Sequence, residues 1–387
     1  MINYLKNEEK IILSLRALYS KYGYLPYKMN KFEEYDLYAK NKEFLIGEGV
    51  ITFTDTHGKL LALKPDVTLS IIKNAAESKG VKNKVYYSEN VYRISGKTRE
   101  YKEIMQTGLE CVGDLDLYDT YEVITLAKKS LETVSSDYVL EISHMGILSS
   151  LIDSVSTNEE FRQEVLDSIK KKSKHEIKAV SQKYGIEKKK TDLLCEFISI
   201  YGEPTSVLLR LDKMDVNEEF KLATNELKEL VALLDGSVSI DFSIVNDMNY
   251  YNGIVFNGFL SGVSECVLFG GSYDKLLSKM GRRSNGIGFA IYTDLLEGIN
   301  EAQSKFDVDT LLLYSENTKI EALTKEIERL NNMGKSVSAQ KSSHSHRRSN
   351  RAVKPNVKRV KAVVNGTPCH VYACTRCLRS NKVERAV

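Results

Sequence analysis

Charge divides this chain so unevenly that its two ends call for different kinds of structure. From Lys341 onward there are twelve Lys/Arg and one acidic residue, Glu384, whereas residues 1–340 carry 43 basic and 51 acidic side chains. The body is therefore −8 and the last 47 residues are +11, although all 387 residues together sum to only +3. Such asymmetry predicts an ordinary globular body followed by a basic, nucleic-acid-binding tail. The length suits two or three domains of about 100–200 residues each. With 42% apolar and 28% charged residues, the chain reads as soluble and globular. No apolar run approaches the roughly 18 residues of a membrane span. The opening MINYLKNEEK lacks a secretory pattern, and six cysteines in this length make no disulfide framework, so a cytoplasmic protein is expected.

Periodicity in the body predicts an α+β fold. An amphipathic helix, EEKIILSLRALYSKYGY, ends near Gly23 and Pro26, where glycine can turn left-handed and proline does not continue a helix. β-rich runs follow: VITFTD, LLALKP, KVYYSENVYRI and MQTGLECVG, several of them separated by turns such as Thr56-His57-Gly58. Residues 117–134 return to helical spacing, and YVLEIS is again strand-like. From about 146 to 230 the texture is helical and rich in Lys and Glu, which predicts a helical insert between two halves of one sheet. Charge runs there, such as Lys188-Lys189-Lys190, read as solvated helix faces. β texture resumes in SVSIDFSIV, YYNGIVFNGFL and SECVLFGGS. The expected division is a core over 1–300, a partial α/β segment over 301–337 and a basic tail over 338–387.

Chemical signals in the body are sparse. It has no G-x-x-x-x-G-K-[ST] loop and no G-x-G-x-x-G after a strand, so phosphate cradling by those loops is unsupported. Gly270-Gly271-Ser272-Tyr273 and Gly286-Ile287-Gly288-Phe289 read as tight turns or close strand packing. No paired Cys/His cluster precedes residue 340, and no metal or cofactor is expected there. His57 and His144 are isolated and read as surface or packed side chains. What remains is a set of polar residues inside the β-rich runs: Asp66, Thr68, Arg93, Gln106 and Glu110. Gln106 and Glu110, four apart, share one side of a pleated strand. That side faces either solvent, the plainer reading, or a polar pocket. A pocket with carboxylates for an ammonium and an imidazole, and a guanidinium for a carboxylate, would suit a free amino acid.

The order of the motifs carries a resemblance. L-K-P-D-V-T (63–68), V-Y-R (91–93), I-M-Q-T-G-L-E-C-V-G (104–113), Y-Y-N-G-I-V-F (250–256), G-G-S-Y-D (270–274) and G-I-G-F-A (286–290) follow one another. Together they resemble the core of histidyl-tRNA synthetases and of their paralogue, the regulatory subunit of ATP phosphoribosyltransferase (HisZ family). The resemblance implies a class II synthetase-like antiparallel sheet flanked by helices. It also implies a histidine pocket in which Asp66 and Thr68 hold the α-amino group, Arg93 reads the carboxylate side and Gln106 touches the amino-acid backbone. Glu110 and the tyrosine pair Tyr250 and Tyr251 match the imidazole end, with Glu110 and Tyr251 facing the ring. A carboxylate paired with a phenol can read a neutral imidazole, which offers one donor and one acceptor.

Departures from the synthetase pattern separate the paralogues. The synthetase run R-G-L-D-Y-Y is Asn246-Asp247-Met248-Asn249-Tyr250-Tyr251 here. In G-F-A-M-G-L-E-R-L, which reads GFAIYTDLL, the ATP-clamping arginine falls at Leu295, and the arginine of G-G-R-Y-D is Ser272. Removing cationic groups from a site where phosphate charge develops costs orders of magnitude in rate. The resemblance therefore implies a non-catalytic subunit that binds L-histidine and regulates a short-form ATP phosphoribosyltransferase catalytic chain, the first committed step of histidine biosynthesis. The alternatives are a divergent histidyl-tRNA synthetase, or an RNA-binding ribosomal component acting through the tail.

The tail is similar to the bacterial large-subunit ribosomal protein of the twenty-eighth family, in S-H-S-H-R-R-S-N-R, K-P-N-V-K-R-V, N-G-T-P and C-T-R-C-L-R-S. Arg347, Arg348, Arg351, Lys358, Arg359 and Lys361 can neutralise phosphates of ribosomal RNA, and VKRVKAVV–NGT–PCHVYACT reads as a hairpin closed at Asn365-Gly366. Cys374 and Cys377 are half of a zinc site that His344, His346, Cys369 or His370 could complete; the other reading is reduced thiols. The join falls near Gly334–Ser338, as a true fusion or as a misassembled gene.

Overall fold

The computed structural model describes residues 5–42, 45, 49–75, 80–94, 100–234, 236, 238–245, 250–296 and 308–341, and the backbone of 357–364 and 367–374. The chain divides into two compact units, Met1–Glu301 and Ala302–Val387.

The first unit opens with helix α1 (Asn7–Lys21), whose apolar stripe buries Ile11, Leu15 and Tyr19. Gly23, at φ 81°, turns the chain just beyond the helix, and β1 (Leu25–Pro26) follows. Next come β2 (Phe32–Glu34), α2 (Tyr35–Ala39), β3 (Thr52–Thr54) and β4 (Leu60–Leu63). These three strands make a small antiparallel sheet of their own, in the order β2-β4-β3. The short helix α3 (Thr68–Asn74) leads to a long antiparallel pair, β5 (Lys82–Ile94) and β6 (Tyr101–Gly113). Helix α4 (Leu117–Val134) is started by Asp116, which accepts from the Tyr118 and Asp119 N–H groups while Asp119 accepts from the Asp116 N–H. That reciprocal cap satisfies donors a helix start otherwise leaves open.

Strand β7 (Tyr138–His144) passes directly into the insert, α5 (Met145–Val155), α6 (Glu159–Lys170), α7 (Lys174–Lys183) and α8 (Lys188–Phe197). After β8 (Tyr201–Gly202) come α9 (Pro204–Leu211) and α10 (Glu218–Leu233). The helical texture over 159–183 is divided between two helices, α6 and α7. Lys172 takes φ 51°, and the Ser173 side chain caps α7 by accepting from the Glu176 N–H. The sheet is then completed by β9 (Ser239–Asp241), β10 (Ile254–Leu260), β11 (Leu268–Ser272) and, after α11 (Asp274–Lys279), β12 (Asn285–Tyr292).

The main sheet has nine strands in the order β1-β5-β6-β12-β11-β10-β7-β9-β8. Its six central strands, β5 through β7 in that order, are antiparallel, as in the class II synthetase-like arrangement. Near the margins β1 joins β5, and β9 joins β7, in parallel, so the sheet is mixed rather than wholly antiparallel. The reason is connectivity: β9 returns to β7 through the helical insert, and a crossover delivers a parallel neighbour. On β6, Leu109 and Cys111 point into the large core shared with α1, α4 and the insert. Val112 points the other way, into a second core with Leu69 and Ile72 of α3 and Leu276 and Leu277 of α11. The same face of β6 carries Gln106, Gly108 and Glu110, because side chains alternate along a strand.

In the second unit, β13 (Thr310–Tyr314), α12 (Ile320–Asn332) and β14 (Val337–Lys341) form a parallel strand–helix–strand unit. Strand β14 thus runs across the junction region. Strands β15 (Val357–Val364) and β16 (Thr367–Cys374) pair antiparallel from Val364–Thr367 to Val357–Cys374, the expected hairpin; its turn, Asn365-Gly366, lies outside the described residues.

Candidate functional site

The seven body residues singled out from sequence converge on one cavity. Asp66, Thr68, Arg93, Gln106, Glu110, Tyr250 and Tyr251 all line it, together with Tyr87, Phe269, Tyr273, Gly288 and Tyr292. It encloses about 40 Å³ of space open to water centres. Gln106 and Glu110 therefore face a polar pocket, and solvent, the plainer reading of their spacing, is not where they point; both are almost fully buried.

Asp66 and Thr68 are not strand residues. Pro65 ends the strand-like run because it has no N–H for a ladder. Asp66 then accepts a 2.9 Å hydrogen bond from the Leu69 N–H, and Thr68 is the first residue of α3. Lys64, just upstream, is buried and ion-paired at 2.5 Å to Glu89 of β5, which pins this turn against the sheet. Arg93 donates from Nε to the Pro65 carbonyl at 2.7 Å and from Nη1 to the Tyr292 hydroxyl at 3.1 Å, with its Nη2 3.8 Å from Asp66 Oδ2. Burial raises the Asp66 carboxyl pKa, against the pull of the Arg93 guanidinium.

Glu110 is the centre of the arrangement. The Thr68 hydroxyl donates to its Oε1 at 2.6 Å and the Tyr273 hydroxyl to its Oε2 at 2.6 Å. Desolvation dominates over these two donors and pushes its pKa up to about 8. Gly288, opposite Glu110 in the β6–β12 register, makes the space: a Cβ there would lie 1.8 Å from Glu110 Oε2. Gly271 does the same for Tyr251, whose Cδ1 would be 2.6 Å away. The glycine pairs are therefore close-packing devices in strands, one of the two readings given from sequence. Burial also raises the pKa of the phenols of Tyr250, Tyr251 and Tyr273, which keeps them as neutral hydroxyls.

Tyr273, Tyr87, Tyr292 and Gly288 were missed as site residues. Tyr273 and Gly288 stand inside the quoted G-G-S-Y-D and G-I-G-F-A runs, so a signal existed; nothing in KVYYSEN or after GIGFA distinguishes Tyr87 or Tyr292. The phenol bonded to Glu110 is that of Tyr273, while Tyr251 lines the same cavity and meets the Tyr250 ring at a tilt, with centroids 4.6 Å apart. Ser272 ends β11, and Leu295 packs against the large core, so neither offers a cation. Asn246, the third departure, lies outside the described residues. His144 is buried, accepts from the Gly146 N–H at the start of α5 and contacts Glu226 at 3.0 Å, a packed capping residue. In the tail, Arg347, Arg348, Arg351, His344, His346 and Cys377 lie outside the described residues, as do the side chains of Lys358, Arg359, Lys361, Cys369, His370 and Cys374. Among the described residues no His/Cys/Asp/Glu group could hold a metal ion, and no helix is long and apolar enough to cross a membrane.

Residues 3–296 match the sequence model of the histidyl-tRNA synthetase family. This chain belongs to that family. Within the histidyl-tRNA synthetase family, it is 28% identical over 333 residues to the ATP phosphoribosyltransferase regulatory subunit of Alkaliphilus metalliredigens (strain QYMF), covering 81% of this chain and 83% of that one. A crystal structure described as an ATP phosphoribosyltransferase regulatory subunit/histidyl-tRNA synthetase from Bacillus halodurans C superposes with a TM-score of 0.69 at 23% identity, over 88% of this chain and 90% of that one. A chain of the ATP phosphoribosyl transferase (HisG:HisZ) complex from Thermotoga maritima gives 0.59 at 22% identity, over 74% and 97%. These likenesses carry the synthetase fold. Separately, residues 331–384 match the model of the Ribosomal L28 family.

Proposed function

We propose that this chain is the regulatory subunit of an ATP phosphoribosyltransferase, that it binds free L-histidine in the cavity around Glu110, and that catalysis resides in a separate short-form catalytic chain. The observation that carries this reading is the buried Glu110 carboxyl held between the Thr68 and Tyr273 hydroxyls, with Asp66 and Arg93 beside it. In this reading Asp66 pairs with the ligand ammonium, Arg93 and Gln106 face its carboxylate side, and Glu110 exchanges a hydrogen bond with the imidazole. A zwitterion fits a cavity that holds one cation beside carboxylates, since each ligand charge then finds a partner. The naming of the Alkaliphilus relative and of the Thermotoga complex supports a partner catalytic chain. Ser272 and Leu295 support a site that recognises the amino acid without activating it, because an adenylate-forming site stabilises phosphate charge with cations. Feedback then follows from differential affinity: histidine shifts the complex toward the conformation that binds it better.

The test mixes this chain with a short-form catalytic subunit and follows phosphoribosyl-ATP formation with and without L-histidine. Activity should depend on this chain, and Glu110→Ala should weaken the histidine response. No activation of the partner refutes the assignment. Histidine- and ATP-dependent pyrophosphate exchange would instead revive the synthetase reading.

The tail supports a second, separate reading. Its match to the Ribosomal L28 family and its paired β15 and β16 favour ribosomal RNA as a ligand of the basic segment.

A further inference from the structure

The two hydroxyls that hold Glu110 sit at the starts of two short helices whose far ends meet at one arginine. Thr68 is the first residue of α3, and Tyr273 immediately precedes α11. The two helices share an apolar core through Leu69, Ile72, Leu276 and Leu277. Apolar contact is non-directional, so it brings the helices together without fixing where one lies along the other. Arg282 supplies that fix. It donates from Nη1 to the Ala75 carbonyl at 2.9 Å and from Nη2 to the Lys73 carbonyl at 3.0 Å, gripping the C-terminal end of α3. Carbonyls at a helix end lack intrahelical partners, and a cation there also meets the negative end of the helix dipole.

The backbone of Arg282 is itself fixed by the end of α11. Gly281 takes φ 77°, its N–H donates to the Ser278 carbonyl at 3.0 Å, and the Arg282 N–H donates to the Leu277 carbonyl at 2.9 Å. These are the paired bonds of a Schellman turn. At the start of α11 the Tyr273 N–H donates to the Gly286 carbonyl, and the Asp274 carboxylate accepts from the Gly286 N–H, both at 2.9 Å. The contacts close a ring that runs from Glu110 through Thr68, α3, Arg282, α11 and Tyr273 back to Glu110. Arg282 is half-buried and is not among the residues that line the cavity.

We propose that Arg282 is a positioning residue of the amino-acid pocket: held by the end of α11, it grips the end of α3 and so sets the spacing at which the Thr68 and Tyr273 hydroxyls meet Glu110. A forked guanidinium suits the task, because two N–H groups on two carbonyls fix orientation as well as distance. The inference deepens the histidine-binding reading and rests on it for the first measurement below, but not for the second.

The first measurement is a double-mutant cycle on L-histidine affinity, by calorimetry on the full-length chain. Arg282→Met keeps an alkyl stem and removes the fork. It should weaken L-histidine binding about tenfold in the otherwise wild-type chain, but less than about twofold once Thr68→Val has removed the hydroxyl it positions. Thr68 and the gripped carbonyls of Lys73 and Ala75 are roughly 7–10 Å apart along a helix, a separation at which independent sites act additively. The second measurement uses the ligand-free chain. Both hydroxyls lower the Glu110 pKa, so displacing them lets it rise above about 8, and the loss of stability with rising pH should move to higher pH in Arg282→Met than in wild type. Equal effects of Arg282→Met in the two backgrounds, whether large or nil, would overturn the proposal, as would an unmoved pH profile. Failure of wild type to bind L-histidine would count against the function proposed above, and the pH profile would then decide this inference alone.

Discussion

The Tyr273 hydroxyl donates to Glu110 Oε2 at 2.6 Å, joining two residues 163 positions apart in the chain. On its other oxygen Glu110 is held by Thr68. The two donors come from the second and first halves of the sheet region, so this carboxyl exists as a site only once β6, β11, β12 and α3 are assembled around it.

Burial pushes the Glu110 pKa from 4.5 to about 8, which makes ligand-free stability depend on pH in a definite direction. The folded chain keeps a proton that the unfolded chain releases, so the contribution is fully present below about pH 4.5 and is lost as pH rises through about 8. Glu110→Gln removes this dependence. Denaturant midpoints of the two proteins across that window should diverge, with wild type losing stability relative to Gln as pH rises; parallel curves would refute the shift.

Gly288→Ala tests the close packing that frames the carboxyl. Its Cβ would sit 1.8 Å from Glu110 Oε2, against sheet backbone that cannot retreat. Overpacking of this kind costs about 1–3 kcal/mol. Histidine binding should fall with stability, and calorimetry with thermal melting should show both. A variant that binds and melts like wild type would mean the pocket has slack.

Thr68→Val removes one of the two hydroxyl donors while keeping the shape of the side chain. Leaving a buried acceptor short of a partner costs on the order of 1–3 kcal/mol. L-histidine affinity should drop about tenfold or more. An unchanged dissociation constant would exclude Thr68 from the site.

Deleting residues 338–387 should separate the two functions proposed for the chain. Histidine binding should survive, while binding to a ribosomal RNA fragment should disappear. In the full chain, RNA affinity should fall on the order of 10³-fold between about 50 and 200 mM salt if the six singled-out basic residues each meet a phosphate. Salt-insensitive binding would contradict that mode of contact.

Much of the architecture was legible along the chain. The helical spacing of 117–134 became α4 at those bounds, and the β-rich runs of the body became strands. Local signals sufficed there: a side-chain cap at Asp116, a left-handed Gly23, β-branched and aromatic runs between turns. Two features were not legible. The break at Lys172 is decided by a single left-handed residue and a serine cap inside a helix-favouring stretch. The parallel margins of the sheet depend on long connections: the β2–β4 sheet and α3 lie between β1 and β5, and the helical insert lies between β7 and β9.

The sequence by itself determined that two of the synthetase arginine positions, at 272 and 295, hold Ser and Leu, because that is a property of positions, and it named seven polar and aromatic residues without deciding whether they share a pocket. Only the tertiary structure decided that the Gln106 and Glu110 face lines a pocket rather than the outer surface, that Tyr273 rather than Tyr251 bonds Glu110, and that the Tyr292 hydroxyl accepts from Arg93. A strand's alternation gives two faces and no means of choosing between them. The choice comes from what packs on each face, and here that is α3, α11 and their loops, brought over β6 from distant parts of the chain.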